Sequence, residues 1–89
     1  EALQMGLIYK IFPTSFFYED VMTLAITLAK MPTKALGLTK RLLNQSMTNN
    51  LEQQMAMESE LQIEASSSND YFEGVNAFME KRIPKFKGN

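Results

Sequence analysis

Apolar positions along this chain recur at helical spacing in four blocks, and each block closes on a breaker. In the first, from about Phe16 to Lys30, Val21, Leu24, Ala25 and Leu28 fall at i, i+3, i+4 and i+7, the period of one helix face. Met22, Ile26 and Ala29 widen the stripe, so this helix is expected to be buried on more than one side. Pro32 stops it, because proline disfavours helical geometry at the residue before it. A second helix starts near Pro32 or Thr33, where the missing proline N–H needs no partner. Ala35, Leu38 and Leu42 form one row, Leu36, Leu43 and Met47 its neighbour, and Lys34, Lys40 and Arg41 lie on or near the other side. Gly37 costs about 1 kcal/mol against alanine in mid-helix and offers a place for another helix to approach. Thr48-Asn49-Asn50 is the next break.

The third block runs from about Asn50 to Ala65, with Asn50 suited to an N-cap. Leu51 and Met55 make one row, and Met57, Leu61 and Ala65 another, leaving Glu58, Glu60 and Glu64 to solvent. The fourth begins within Ser67–Asp70, where Ser67 and Asp70 have the spacing of a capping box. Tyr71, Val75 and Phe78 form one row and Phe72, Val75 and Met79 a second. The helix is expected to end near Arg82, before Pro84, with Lys81 and Arg82 in a last turn whose dipole favours positive charge. Ahead of all four, residues 1–5 read as the end of a helix stopped at Gly6. Leu7 to Phe12 is a β-prone run closed by Pro13, expected to be an extended connector rather than a sheet strand. The fold class is therefore all-α: four helices with an extended N-terminal lead, divided into residues 1–13 and 14–89.

Length makes this pattern hard to satisfy alone. A chain of 89 residues buries only about two-thirds of the surface its unfolded form exposes. The helical stripes are wider than such a molecule covers, so a large apolar face is expected to dock on a missing domain or a neighbouring subunit. The composition, 45% hydrophobic and 21% charged, belongs to a folded protein rather than a disordered one. Seven methionines spread over every helix read as core filling. Val21 to Met31, the longest apolar-leaning stretch, is interrupted by Thr23, Thr27 and Lys30 and falls short of the ~20 residues of a membrane span. The N-terminus shows no basic region followed by an apolar run. A cytoplasmic setting without membrane contact is expected, and a chain that begins at Glu1 reads as a fragment or a processed product.

Charge and candidate chemistry add little. The net charge is -1. From Leu42 to Glu80 there is no lysine or arginine, only Glu52, Glu58, Glu60, Glu64, Asp70, Glu73 and Glu80; then Lys81, Arg82, Lys85 and Lys87 follow. Such a cationic tail can meet a phosphate or pair with the acidic helix. Four cations beside an acidic helix make a poor nucleic-acid surface, and no nucleic-acid partner is expected. Histidine and cysteine are both absent, which excludes imidazole acid–base chemistry, disulfides, and thiolate or imidazole metal ligation on this chain. Glu58 and Glu64 could be paired carboxylates, but they sit on an acid-rich helix without a visible apolar pocket. Ser66–Ser68 lack a histidine to activate them and suit capping. Gly74 and Gly88 make no phosphate-cradling loop. Phe16, Phe17 and Tyr18 cluster at the start of the first helix, while Phe72, Phe78 and Phe86 bracket the basic end.

That basic end carries a family likeness. Residues 73–88, Glu-Gly-Val-Asn-Ala-Phe-Met-Glu-Lys-Arg-Ile-Pro-Lys-Phe-Lys-Gly, meet every fixed position of the pattern E-G-x-x-A-F-x-E-K-R-x-P-x-F-x-G. This resembles the C-terminal signature of the crotonase family of enoyl-CoA hydratases and isomerases. Ala2 to Ile8 resembles the family's turn out of its core domain, Ile11-Phe12-Pro13 the segment that follows it, and Pro32 to Lys40 its helix that opens on proline. The likeness covers essentially the whole chain. Gly37 to Asn44 further resembles members of the ring-epoxide isomerase type, which act in phenylacetate degradation.

The resemblance implies the C-terminal helical domain of the crotonase fold, with residues 1–13 as the end of a core-domain helix plus connector. It implies that catalysis lies upstream, in a core whose backbone N–H groups stabilise a thioester enolate where its charge develops. It also implies partners: the chain's own N-terminal core, neighbouring subunits in a trimer or hexamer, and acyl-CoA as substrate, with no separate cofactor. Two positions carry over as binding residues. Lys81 matches a lysine that in several members reaches the 3′-phosphate-ADP part of coenzyme A in an adjacent subunit, and Phe78 a phenylalanine that lines the pocket. A non-enzymatic helical interaction module is the alternative. An acyl-carrier protein would need an Asp-Ser-Leu helix start, which is absent.

Overall fold

A computed structural model describes residues 1–89. It contains a 3-10 turn, Thr14–Phe16, and four helices: α1, Phe17–Ala29; α2, Thr33–Ser46; α3, Leu51–Ser66; and α4, Asn69–Met79. No strand forms. Residues 1–7 make a single hydrogen-bonded turn rather than a helix. The Met5 N–H donates to the Glu1 carbonyl, Gly6 to Leu3 and Leu7 to Ala2, at 3.0 to 3.1 Å. Gly6 sits at φ 75°, so it is the left-handed stop the sequence indicated. The connector then runs to the 3-10 turn without regular structure. It is pinned at its end by Phe12, whose ring meets Phe17 edge-on at 6.3 Å and lies 5.1 Å from the Lys10 ammonium.

The α2–α3 hairpin is the best-joined part. Its turn is tied by Asn49, which donates to the Gln54 side chain at 3.0 Å, while Gln54 reaches back to the Leu42 carbonyl at 3.4 Å. Asn50 caps α3 in full. Its side chain accepts from the Gln53 N–H, and the Gln53 side chain accepts from the Asn50 N–H. Between α3 and α4 the three serine hydroxyls each donate to a carbonyl three residues back, at 2.6 to 2.9 Å. Ser68, not Ser67, is the N-cap of α4, accepting from the Tyr71 N–H at 3.1 Å. The expected Ser67–Asp70 box does not form, because Asp70 is engaged elsewhere.

In α2 and α3 packing uses one apolar row and leaves the other open, while both rows of α4 stay exposed. Ala35, Leu38 and Leu42 of α2 face inward, as do Met57, Leu61 and Ala65 of α3. Leu36, Leu43 and Met47, and likewise Leu51 and Met55, remain exposed. Only Leu61 and Ala77 are buried apolar residues, at 2% and 1% exposure. Helix α1 has the 3-10 turn as its main neighbour and α2 packs along α3, with α4 touching α3. The burial expected for α1 therefore finds no cover within this chain, and none of its residues is buried. Its threonine hydroxyls are nonetheless satisfied internally. Thr23 donates to the Glu19 carbonyl and Thr27 to that of Thr23, both at 2.9 Å, so apolar surface could cover this face without stranding a polar group. Gly37 likewise has open space where a Cβ would stand, and no helix of this chain approaches it.

The whole is a slab of 45 × 39 × 19 Å with a radius of gyration of 16.6 Å, where a compact domain of this length would have about 12 Å. No helix is long and apolar enough to cross a membrane.

Candidate functional site

The end of α4 is built differently from the sequence expectation. The helix stops at Met79 with Glu80 as C-cap, three residues short of Arg82. The Lys81 N–H donates to the Phe78 carbonyl at 3.2 Å and the Arg82 N–H to the Ala77 carbonyl at 2.9 Å. Lys81 itself sits at φ 55°. This is the bond pair of a Schellman stop, in which glycine is the usual occupant of the left-handed position. Lysine and arginine are therefore beyond the last helical turn, not in it, and the chain has reversed by Arg82.

The reversed tail lies back along α4 and is strapped to it by two carboxylates. Glu73 takes the Arg82 guanidinium in a two-point fork at 2.6 and 2.9 Å and also accepts from the Lys85 N–H at 2.7 Å. Arg82 grips Glu80 as well, at 2.6 Å. The Arg82 fork, then the Lys85 N–H, hold the Glu73 carboxyl down at about 2 from an ordinary 4.5, and the same pairing raises the Arg82 guanidinium further still. Asp70, only 5% exposed, accepts from the Lys87 and Gly88 N–H groups at 2.7 and 2.8 Å. Its own N–H donates to the Asn89 carbonyl at 2.9 Å. Gly88 has φ 80°, and a Cβ there would stand 2.5 Å from the Thr33 hydroxyl oxygen, so the tail also abuts the start of α2. At Gly74 a Cβ would meet the Phe86 ring at 3.5 Å.

The strap walls one side of a groove of about 520 Å³. Leu38 and Leu42 of α2, Leu61 and Ala65 of α3, Val75 and Phe78 of α4, and Phe86 of the tail line it. Phe78, one of the two residues singled out from sequence, stands on its rim at 83% exposure. Lys81, the other, is exposed one helical turn further along, and its ammonium has no hydrogen bond or ion pair in this chain. Glu58 and Glu64 lie on the exposed side of α3 and are not brought together with either. No cluster of metal-ligating side chains forms.

Sequence reasoning missed the clasp residues Asp70, Glu73, Arg82 and Gly88, although a signal was present. Glu73, Gly74, Arg82, Phe86 and Gly88 are fixed positions of one sequence pattern, and in the fold they touch one another or brace the strap. A pattern whose members meet in space marks a structural unit, from which Lys81 and Phe78 project.

The comparisons with known proteins agree along the full length. The family model described as enoyl-CoA hydratase/isomerase matches residues 1–89. The chain is 39% identical over 88 residues to the 1,2-epoxyphenylacetyl-CoA isomerase of Escherichia coli, covering 99% of this chain and 34% of that protein. It is 40% identical over 88 residues to a probable enoyl-CoA hydratase of Rhodobacter capsulatus, again covering 99% of this chain and 34% of the relative. A crystal structure of an enoyl-CoA hydratase from Geobacillus kaustophilus superposes with a TM-score of 0.86 at 34% identity, over 99% of this chain and 33% of that one. The chain thus spans about a third of the length of the relatives it matches. With the full-length family match and the shared helical architecture, it belongs to the enoyl-CoA hydratase/isomerase family.

Proposed function

We propose that this chain is the segment of an enoyl-CoA hydratase/isomerase that covers the acyl-CoA site and joins subunits, while an upstream core carries the enolate chemistry. The observation that supports this most is the surface the chain leaves uncovered, which includes large hydrophobic side chains on every helix. The accessible area is 7588 Å², against about 5,300 Å² for a compact protein of this mass. The excess, about 2,300 Å², is the size of a permanent interface rather than a transient one. Residues 14–89 would form the covering unit and residues 1–13 the link to the core. The partners would be that core and neighbouring subunits, in a trimer or hexamer.

Within this reading Phe78 borders the acyl-CoA pocket and Lys81 meets the 3′-phosphate of coenzyme A. A lysine ammonium is a compact charge on a flexible stem, suited to a phosphate, and Lys81 has no internal partner to give up. The likeness of Gly37 to Asn44 to ring-epoxide isomerases, together with the name of the Escherichia coli relative, favours an aromatic acyl group and isomerisation.

The test compares the full-length protein with one lacking residues 14–89. The full-length protein should hydrate or isomerise a CoA thioester as an oligomer. The truncated protein should lose its oligomeric state, and its KM for the thioester should rise at least about tenfold, the effect of one lost charge-assisted contact. Residues 1–89 alone should give no turnover of crotonyl-CoA. An unchanged oligomer with an unchanged KM after truncation would overturn the proposal.

A further inference from the structure

We infer that Glu73 is a positioning residue for Lys81: its carboxylate anchors Arg82, and so fixes the left-handed turn that presents the Lys81 ammonium to the 3′-phosphate of the coenzyme A thioester. The inference rests on the reading of Lys81 as a phosphate contact, and extends it to a residue one face of α4 away that touches no ligand.

Four observations carry it. Lys81 is the one non-glycine residue at positive φ in this chain, at 55°, a conformation that L side chains adopt at an energetic cost. Such an outlier persists only where its surroundings hold it, and it points from structure toward function. The holding groups are on both sides. Glu80 before it and Arg82 after it are joined at 2.6 Å, and Arg82 is fastened two turns back along α4 by the two-point fork to Glu73. A guanidinium fork fixes direction as well as distance, which a single lysine–carboxylate contact would not. The cations of the tail are also divided by role. Arg82 is consumed by the two glutamates, while the Lys81, Lys85 and Lys87 ammonium groups make no internal ion pair.

The same fork removes a competitor. Glu80 adjoins Lys81 in sequence, and a free carboxylate there could neutralise the ammonium in place of a phosphate. With Arg82 bound to Glu80, that carboxylate is occupied and turned to the arginine side. Glu73 therefore acts twice: it holds the turn, and by holding Arg82 it keeps Glu80 away from Lys81.

Calorimetric titration of the full-length protein with coenzyme A and with 3′-dephospho-coenzyme A tests this, because the ratio of the two dissociation constants reports the phosphate contact and nothing else. The unaltered protein should prefer the phosphorylated ligand about tenfold, the worth of one charge-assisted contact. Lys81→Ala should bring the ratio close to one. Glu73→Gln should do most of the same while kcat at saturating thioester stays within about twofold. Arg82→Lys, which keeps the charge without the fork, should fail to preserve the preference, and it supplies the measurement if Glu73→Gln does not fold. If the unaltered protein shows no preference, or Lys81→Ala retains it, the Lys81 reading falls and the inference with it. If Lys81→Ala abolishes the preference but folded Glu73→Gln or Arg82→Lys keeps it, Lys81 stands and Glu73 is not its positioning residue.

Discussion

At the scale of single residues, two side chains do what their type ordinarily resists. Lys81 holds φ 55° where glycine would sit free of strain. Lys81→Gly should therefore raise the stability of the full-length protein by about 1 kcal/mol, read as a higher midpoint in urea, even as it removes the ammonium. A lower midpoint would mean that the lysine stem is packed or paired in a way the left-handed turn does not reveal. Glu73 is the converse case, a carboxyl kept charged by its partners. Its pKa is lowered, from 4.5 to about 2, so the folded state favours the ionised form. Its stabilising effect is fully present above pH 4.5 and is lost as the pH falls from there through about 2. An NMR titration should find the Glu73 carboxyl midpoint near 2, and Arg82→Ala should return it most of the way to 4.5, because the arginine fork is the largest cause. A midpoint near 4.5 in the unaltered protein would show that the fork is not populated in solution.

At the scale of elements, α4 and its tail behave as one piece rather than a helix with a frayed end. Asp70 would ordinarily be read as an acidic first-turn residue. Here it is nearly inaccessible and accepts two backbone N–H groups from the chain terminus. Asp70→Asn replaces one acceptor oxygen with a donor facing those N–H groups, at a cost of about 2 kcal/mol. Amide exchange at Lys87 and Gly88 should accelerate first, with α4 following, and unchanged protection at those two amides would count against the strap. Gly88 in the strap and Gly74 in α4 beneath it are not equivalent. Gly88→Ala should destabilise by about 2 kcal/mol, since alanine must adopt φ 80° and its Cβ would stand 2.5 Å from the Thr33 hydroxyl oxygen. Thr33→Ala should recover only the contact part of that loss. Gly74→Ala should be neutral or stabilising by up to about 1 kcal/mol, because its Cβ would touch Phe86 at an ordinary 3.5 Å.

The same scale explains what could be read from the sequence. Helix number, type and order follow from local signals: a 3.6-residue period, Pro32, Asn50 and the serine run each act within a turn of where they stand. The strap does not follow from local signals. Asp70 reaches Gly88 across eighteen residues, and the spacing of Ser67 and Asp70 mimics a capping box that a nearby serine supplants. The end of α4 was misplaced for a related reason. Lys81 and Arg82 suit a helix C-terminus by charge, yet Arg82 is taken up by the fork to Glu73 and the contact to Glu80. Which of two apolar rows turns inward was equally out of reach, because both rows are apolar and the choice is made by the neighbour.

At the scale of the whole molecule, the second rows are the decisive feature. Met47, Leu51, Phe78 and Ile83 each stand more than three-quarters exposed, on four different parts of the fold, and α1 adds a face that no helix of this chain covers. Scattered apolar residues on a surface are ordinary, but here Met47 and Leu51 continue helices whose inner rows are already packed, and both apolar rows of α4 stand open, which is the pattern of an interface cut open. The radius of gyration says the same from outside: the helices hold their own shape without closing on a common centre. Residues 1–89 alone should therefore bind a hydrophobic dye and associate further as concentration rises in sedimentation velocity. If the proposed reading holds, adding an upstream core as a separate chain should quench the dye signal and yield a species of defined stoichiometry, since the excess surface is large enough to drive association without a covalent link. Amide-exchange protection should rise on the same addition, most of all across α1, which lacks a partner of its own. A compact, dye-silent monomer at all concentrations would mean that α1 folds onto α2–α4 in solution, and that the open faces are closed from within.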